Sequence, residues 1–222
     1  LVWLGDIPVI LIGPSGHELG LAEKFLKRYG PGVHSLAWEI TDMWALEHRL
    51  RDRDIGITGV SVEGRHFFMH PRDTHGLLIE WCDGPMGAPP KPTGAGVVSV
   101  ESLAWVSGVV ADADETAAFL GELAVVKPAS DLPAGVADQE RTVDLEIGPI
   151  AVRLVTPTSP DSRYAPMIER GARWGNAAFR VADLDATLDA LAGAGIPTLA
   201  RDGAHAVTDP ASTLGITFEW AS

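Results

Sequence analysis

Residues 70–81 read HPRDTHGLLIEW, and residues 209–220 read DPASTLGITFEW. Proline, threonine, glycine, glutamate and tryptophan recur in register, and the apolar positions correspond. Upstream of these copies, SLAWEITD at 35–42 aligns with NAAFRVAD at 176–183. Self-similarity over such distances indicates a duplicated structural unit, so the repeat decides the fold before any single motif is considered.

The pattern inside each copy predicts the order of elements. A third match aligns IPVILIGP at 7–14 with IAVRLVTP at 150–157. Hydrophobic periodicity over 97–222 predicts strand, helix and two strands, with room for a third strand, twice. The first part shows only the second half of this pattern, so we expect roughly 40 residues to precede Leu1. The predicted fold class is α+β, with tandem βαβββ units and an incomplete N-terminal unit.

A proline- and glycine-rich stretch divides the chain. Residues 84–96 read GPMGAPPKPTGAG, a composition that favours neither helix nor sheet. We therefore predict a first domain over 1–83, a linker over 84–97 and a second domain over 98–222.

Composition excludes several classes of partner. The formal charge of −13 argues against nucleic acid and anionic membrane surfaces as partners, because both attract basic proteins. Cys82 is the only cysteine, so neither an internal disulfide nor a thiolate metal cluster is expected. No apolar run has the length of a membrane span, and the start lacks a basic leader, so we expect a cytoplasmic protein.

Two segments resemble a known family. KFLKRYGPGVHSLAWEI at 24–40 and FFMHPRDTHGLLIE at 67–80 resemble the methylmalonyl-CoA epimerase branch of the vicinal oxygen chelate superfamily, which includes glyoxalases, bleomycin-resistance proteins and dioxygenases. The resemblance implies that paired units curl into a cup, giving two glyoxalase-like domains. It also implies a divalent metal, held in the cup by histidine and glutamate from four strands.

The metal ligands that the family implies are mostly replaced. Ser35 occupies the position of a ligand histidine, and His34 matches a histidine that is not a ligand. Ile10 stands at the position in the strand hairpin that often carries another metal ligand in the family. The glutamate of the final strand is retained as Glu80.

In the second domain the four corresponding positions hold Trp105, Arg153, Asn176 and Glu219. Tryptophan offers no lone pair to a metal and arginine is a cation without an acceptor. We therefore expect no metal and no other cofactor.

Strand alternation predicts which residues line the first cup. Ser35, Ala37 and Glu39 share one strand face, which the resemblance assigns to the cup, together with Glu80. If Glu39 and Glu80 lie close together, the pair can do general acid–base chemistry. The alternative is that Glu39 is solvated at the rim.

Further substrate-binding candidates lie in both domains. Phe67 and Met69 are predicted as an apolar wall of the first cup. Arg153 and Arg180 are assigned to the second cup, where an arginine can clamp a substrate carboxylate or phosphate. The alternative for Arg153 is a buried ion pair with Glu219.

Two functions follow from these assignments. The first is an isomerase or lyase that acts on a small carboxylate or acyl thioester with little or no metal, with Glu80 and Glu39 moving protons. The second is a non-catalytic protein that sequesters a small molecule, as bleomycin-resistance proteins do. In both cases the expected binding partner is a small molecule. A homodimer would result if a second copy of the chain completed the first cup.

Overall fold

The computed structural model describes residues 1–5, 7–14, 21–60, 66–84, 87, 96–124, 126–130, 132–133 and 139–222. The strands are β1 Val2–Leu4, β2 Ile7–Val9, β3 Leu36–Ile40, β4 Ile57–Thr58, β5 His66–Met69, β6 Ile79–Asp83, β7 Ser102–Val109, β8 Val126–Pro128, β9 Glu140–Ile147, β10 Ile150–Pro157, β11 Arg173–Arg180, β12 Thr198–Asp202, β13 His205–Thr208 and β14 Phe218–Ala221. The helices are α1 Leu21–Tyr29, α2 Met43–Arg51, α3 Ala113–Leu123, α4 Ala165–Ile168 and α5 Leu184–Gly193.

The described strands form three sheets. A four-stranded sheet has the order β3-β6-β5-β4, and an eight-stranded sheet has the order β12-β13-β14-β11-β7-β10-β9-β8. The third is the hairpin of β1 and β2. Residues 36–83, 102–157 and 173–221 each follow the order strand, helix and three strands. The predicted fold class, α+β with βαβββ units, is confirmed. Most of the predicted linker lies outside the described residues, so the domain boundaries stay a prediction.

The two copies of the opening motif have the same local structure. Short 3₁₀ turns at Pro71–Asp73 and Pro210–Ser212 precede β6 and β14. In the first copy the backbone N–H of Gly76 donates to the carbonyl of Pro71, and in the second copy Gly215 donates to Pro210 in the same way. β6 pairs in parallel with β3, and β14 pairs in parallel with β11. The repeated sequence therefore makes the same turn and the same strand pairing.

The helix of each unit begins at an aspartate that follows the first strand. Asp42, Asp112 and Asp183 are the N-caps, and each carboxylate accepts a backbone N–H three residues ahead at 2.9 Å. An aspartate at this position satisfies one of the unpaired N–H groups of the first turn. This local signal therefore fixes the residue at which each of these helices begins.

One hydrophobic cluster joins the first sheet to the second part of the chain. Buried residues of α2 and β5 belong to the same cluster as Leu120 of α3 and Leu154 of β10. The indole N–H of Trp38 donates to the carbonyl of Ile147 at 3.2 Å, and that of Trp174 donates to the carbonyl of Leu78 at 2.8 Å. The four-stranded sheet is thus fixed against the eight-stranded sheet by packing and by two indole hydrogen bonds.

The repeat supplies a matched test of this junction. Gly76 and Gly215 both have positive φ, at +91° and +84°, so alanine costs about 1 kcal/mol of backbone strain at either position. A Cβ on Gly76 would lie 2.5 Å from the Cβ of Ala172, whereas one on Gly215 would lie 3.6 Å from Pro31. We expect Gly76→Ala to lower the free energy of unfolding by about 3 kcal/mol and Gly215→Ala by about 1 kcal/mol. Urea denaturation measures both, and equal losses would contradict the close approach at Gly76.

Candidate functional site

The first candidate site lies on one face of the four-stranded sheet. Ala37 of β3 pairs with Glu80 of β6, and Glu39 pairs with Cys82, so these residues share a face. The hydroxyl of Ser35 donates to Oε2 of Glu80 at 3.3 Å. The structure therefore places Ser35, Ala37, Glu39 and Glu80 on the same face, as the sequence predicted.

His34 extends this contact into a short chain of polar groups. Its Nδ1 lies 3.3 Å from the hydroxyl oxygen of Ser35. Because the single hydroxyl proton of Ser35 goes to Glu80, His34 must donate an Nδ1–H to Ser35 in this network. The imidazole ring packs edge-on against Phe25, and burial lowers the pKa of His34, which favours the neutral ring.

Exposure differs along the face. Ala37 and Glu39 are exposed, Ser35 and Glu80 are half-buried, and Cys82 is buried. Burial, with the nearby charge of Glu80, raises the pKa of Cys82 to about 11, so its thiol is protonated at neutral pH. Glu80 is then an accessible carboxylate beside a hydroxyl donor, whereas Cys82 is not a nucleophile.

Phe67 and Met69 do not line this face. Both are essentially fully buried in the hydrophobic cluster on the opposite face, against α2. Phe68 pairs directly with Glu80 across β5 and β6, and its ring meets His34 edge-on at 6.4 Å. The predicted apolar wall was therefore displaced by one residue, and a one-residue slip reverses every side chain of a strand.

The second cup contains a buried polar cluster around Glu219, which is 1% exposed. Its Oε2 lies 2.6 Å from Nε2 of His205. Its Oε1 accepts from Nη2 of Arg163 at 2.8 Å and from the hydroxyl of Tyr164 at 3.3 Å. The side-chain amide of Asn176 also donates to Oε1. Four groups thus hold this carboxylate in place.

The charge state of Glu219 follows from these partners. Burial alone would raise its pKa, but the hydrogen bond from His205 and the charges of Arg163 and Arg153 outweigh burial. The net pKa of Glu219 lies below its usual value, so it is ionised and saturated with donors. Burial and the charge of Glu219 raise the pKa of the Tyr164 hydroxyl, which therefore stays protonated.

Arg153 is not the partner of Glu219. Its Nε and Nη2 each donate to Asp144 at 2.8 Å, and the two residues are direct neighbours on β10 and β9. Its guanidinium also lies over the ring of Trp105, 5.1 Å from the centroid. The predicted Arg153–Glu219 ion pair was wrong because a cross-strand aspartate lies closer.

Arg180 does not join this cluster. It is the last residue of β11, and its side chain is exposed. The register of β11 against β7 shifts between Trp174 and Ala177 and again between Ala178 and Phe179. Against β14, however, the register of β11 is unbroken, with Ala178 opposite Glu219 and Arg180 opposite Ala221. Arg180 lies outside the Glu219 cluster because it is at the exposed end of its strand.

The second cup does not fit a divalent ion. The positive charges of Arg153 and Arg163 already compensate the negative charge of Glu219. Asn176 and Trp105 add one amide and an indole, and the described residues contain no group of three or more histidine, cysteine, aspartate or glutamate side chains able to hold a metal. The expectation of a metal-free protein stays a prediction.

Sequence reasoning missed three residues of the Glu219 cluster. His205 stands in register with His66, so extending the repeat four residues upstream would have identified it. Arg163 and Tyr164 lie in the segment before α4, outside any repeat, and no sequence signal identified them. Non-local packing alone brings them to Glu219.

Comparison with known proteins gives structural matches only. No protein-family model matches the chain, and no curated protein matches it. Methylmalonyl-CoA epimerase from Mycobacterium tuberculosis is similar in structure, with a TM-score of 0.51, 21% identity, and coverage of 57% of this chain and 90% of that chain. A Streptomyces coelicolor methylmalonyl-CoA epimerase variant in complex with 2-nitronate-propionyl-CoA matches with a TM-score of 0.49 and 20% identity, over 55% of this chain and 96% of that chain.

The likeness to the Mycobacterium tuberculosis protein establishes the fold. The chain has the vicinal oxygen chelate fold, so the resemblance stated from its sequence is confirmed at that level. None of the described helices is long and apolar enough to cross a membrane.

Proposed function

We propose that the chain is an isomerase-type enzyme that moves a proton on a small carboxylate or acyl thioester, with Glu80 as the proton-transferring group. The fold shared with a methylmalonyl-CoA epimerase supports this class of reaction. In epimerisation a base removes a proton from the carbon next to a carbonyl group, and a proton is then added to the opposite face of that carbon.

The observation that carries the proposal is the contrast between Glu80 and Glu219. The two glutamates occupy equivalent positions, because each pairs with an alanine of the neighbouring parallel strand, Ala37 or Ala178. Glu219 is buried and bound by four donors, whereas Glu80 is half-buried and receives a long hydrogen bond from Ser35 at 3.3 Å and a weak one from the Cys82 thiol at 3.8 Å. A carboxylate whose acceptor capacity is not used up by the protein can accept a proton from a substrate.

The proposed step can be written for Glu80 alone. The C–H bond next to the substrate carbonyl breaks, its proton passes to a carboxylate oxygen of Glu80, and the electron pair moves to the carbonyl oxygen. Ser35 holds the carboxylate, and His34 holds Ser35 through its Nδ1–H. Glu39 lies two residues beyond Ala37 on the same face of the sheet, opposite Cys82. Its role as the second proton-transferring group stays a prediction.

One observation favours the alternative of a non-catalytic binding protein. Ala37 and Glu39 are exposed, so water reaches this face in the described part of the chain. Water weakens the electrostatic stabilisation that an enolate requires, but it does not prevent sequestration of a ligand. Binding without proton exchange is the property that separates the two functions.

Deuterium exchange tests the proposal. The chain is incubated with methylmalonyl-CoA in deuterium oxide, and the proton next to the thioester carbonyl is followed by NMR. We expect exchange above the rate without protein, because Glu80 takes the proton and returns deuterium from solvent. Saturable binding of the thioester with exchange at the background rate would instead support sequestration and overturn the enzymatic proposal.

A further inference from the structure

The four-stranded sheet ends at β3, whereas the corresponding strand of the eight-stranded sheet has a neighbour on each side. β3 corresponds to β11, because β6 pairs in parallel with β3 as β14 pairs with β11. The other edge of β11 pairs antiparallel with β7. Among the described strands, none pairs with this edge of β3. The repeat therefore identifies an open edge at β3 that its counterpart does not have.

The hairpin of β1 and β2 has an open edge of its own. It corresponds to the hairpin of β9 and β10, since the repeat aligns residues 7–14 with residues 150–157. The turn glycines agree in conformation, with φ of +64° at Gly5 and +61° at Gly148. β10 also pairs in parallel with β7, whereas β1 is the only described strand that pairs with β2. β10 runs for eight residues and β2 for three, so the strand without a second neighbour is the shorter one.

The two hairpins pack in the same way on the opposite sheet. Ile147, at the end of β9, belongs to the cluster that contains Trp81 of the four-stranded sheet. Leu4, at the end of β1, packs on the cluster that contains Trp220 of the eight-stranded sheet. The repeat aligns Leu4 with Ile147 and Trp81 with Trp220. By this symmetry the space between β2 and β3, which we call the strand slot, corresponds to the place of β7 between β10 and β11.

Side chains along the strand slot are exposed where their counterparts are buried. Leu11 is 72% exposed and Ile12 is 56% exposed, whereas Leu154, which aligns with Leu11, is 0% exposed. Ala37 of β3 is exposed, whereas its counterpart Ala178 is fully buried. Exposed aliphatic side chains beside an unpaired strand edge are typical of a surface that binds another strand.

We propose that the strand slot binds one extended segment of another polypeptide, antiparallel to β3 and parallel to β2. Main-chain hydrogen bonds to the two edges supply affinity, and side chains at alternate positions supply specificity. In the register of β7 the segment is apolar at the positions of Val106 and Val110, which face the buried cluster between the sheets. It is small at the position of Gly108, where a Cβ would lie 3.2 Å from Leu154, the counterpart of Leu11.

A second copy of the chain is a poorer occupant than a single segment. If its own β3 entered the strand slot, the neighbouring β6 of that copy would take the place of β2. Strands of one sheet lie about 4.8 Å apart, so the hairpin of β1 and β2 would have to leave its position. A single segment meets both open edges without this displacement.

An added strand would also contribute a side chain to the candidate site. In the second cup Trp105 of β7 pairs with Ala178, which in turn pairs with Glu219. The corresponding position of an added strand lies beside Ala37, which pairs with Glu80. Its side chain would cover the exposed face next to Glu80. Binding of the segment itself does not depend on the proposed function.

A peptide of residues 101–111 is a suitable probe, because it has the sequence of β7. The strand slot resembles the surroundings of β7, since Val9, Leu11 and Ala37 are identical to the residues at positions 152, 154 and 178. A control peptide carries Val106→Asp, which places a charge on the face that packs against the buried cluster.

Each peptide is titrated into the full chain, and the backbone amide resonances are followed by NMR. We expect saturable shifts at residues 9–12 and 36–40, because β2 and β3 contact the peptide from opposite sides. Amide hydrogen exchange at both edges should slow by at least about tenfold at saturation. Binding of the control peptide should be at least about tenfold weaker.

Two variants with matched chemistry test the hairpin side of the strand slot. Leu11→Asp places a charge in the slot and is expected to weaken peptide binding about tenfold. Leu199→Asp makes the same change at another exposed leucine, on β12 at the far edge of the eight-stranded sheet, and is expected to leave binding unchanged. Both leucines are exposed, so both variants should keep the wild-type unfolding midpoint.

Four results would overturn the proposal. Three are the absence of saturable peptide binding, protection at only one of the two edges, and equal effects of Leu11→Asp and Leu199→Asp. The fourth is a dimer of the chain alone in which the same amides are protected, since the slot would then belong to a second copy. Glu80→Gln should bind the peptide as the wild-type chain does, so this proposal and the proposed function can fail separately.

Discussion

Glu219→Gln is expected to lower the free energy of unfolding by about 3 kcal/mol, because it removes the charge at the centre of a buried network. The carboxylate compensates Arg163 and holds His205 at 2.6 Å, and both it and His205 are 1% exposed. Breaking a buried pair leaves the remaining charge desolvated, which is the main cost. Urea denaturation at neutral pH measures the loss. Glu80→Gln is the matched control, and with its half-buried side chain it is expected to cost less than about 1 kcal/mol.

The difference in unfolding free energy between the wild-type chain and Glu219→Gln should depend on pH with a defined sign. Because the pKa of Glu219 is lowered in the folded state, its stabilising contribution is present above the unfolded pKa of about 4.3 and is lost as pH falls through the folded pKa. The gap between the wild-type chain and Glu219→Gln should therefore narrow on acidification. A gap that stays constant down to pH values well below 4 would contradict the assignment of an ionised Glu219.

A double-mutant cycle tests whether Arg163 and Glu219 stabilise each other. Arg163→Met removes the guanidinium that lies 2.8 Å from Glu219, and the combined variant should lose less than the sum of the single losses. Strict additivity would show that Arg163 and Glu219 do not stabilise each other. Arg153 pairs mainly with Asp144 and acts on Glu219 only through its charge, so the coupling between Arg153→Met and Glu219→Gln should be smaller than that between Arg163→Met and Glu219→Gln.

The repeat made most of the topology predictable, because it fixed both turn chemistry and strand order. The motif around Pro71 and Gly76 is a local signal, and so are the N-cap aspartates, since each acts through its own backbone neighbours. Strand faces were less predictable. β5 reads His-Phe-Phe-Met, a run without apolar alternation, so its inward side cannot be chosen from the pattern alone, and Phe67 was placed on the wrong face.

The second cup shows where sequence reasoning stops. The positions of Asn176 and Glu219 followed from the repeat, and both lie in the cluster. Their partners did not follow, because Arg163 and Tyr164 come from an irregular segment and reach Glu219 only through tertiary packing. Arg180 likewise lies outside the cluster, because it is the exposed last residue of β11 and alternation along a strand does not predict burial at its end.

Glu80→Gln is expected to slow deuterium exchange on the bound thioester by about 10³-fold, because the amide cannot accept the substrate proton. Ser35→Ala should have a smaller effect, about fivefold, since the lost hydrogen bond to Glu80 is 3.3 Å long and therefore weak. Exchange is followed by NMR at saturating thioester. Thioester affinity and the unfolding midpoint are measured for each variant, and both should remain close to those of the wild-type chain.

The same experiment decides between the two sheets. Glu219→Gln, assayed under conditions where it is fully folded, should keep wild-type exchange, because Glu219 is enclosed by its own donors. If Glu219→Gln lost exchange while Glu80→Gln kept it, proton transfer would belong to the eight-stranded sheet. A buried, ionised carboxylate would then have to release His205 and Arg163 before it could accept a proton, so the rate should also rise when Arg163 is replaced by methionine. No such rise is expected if Glu80, already half-exposed beside Ser35, is the base.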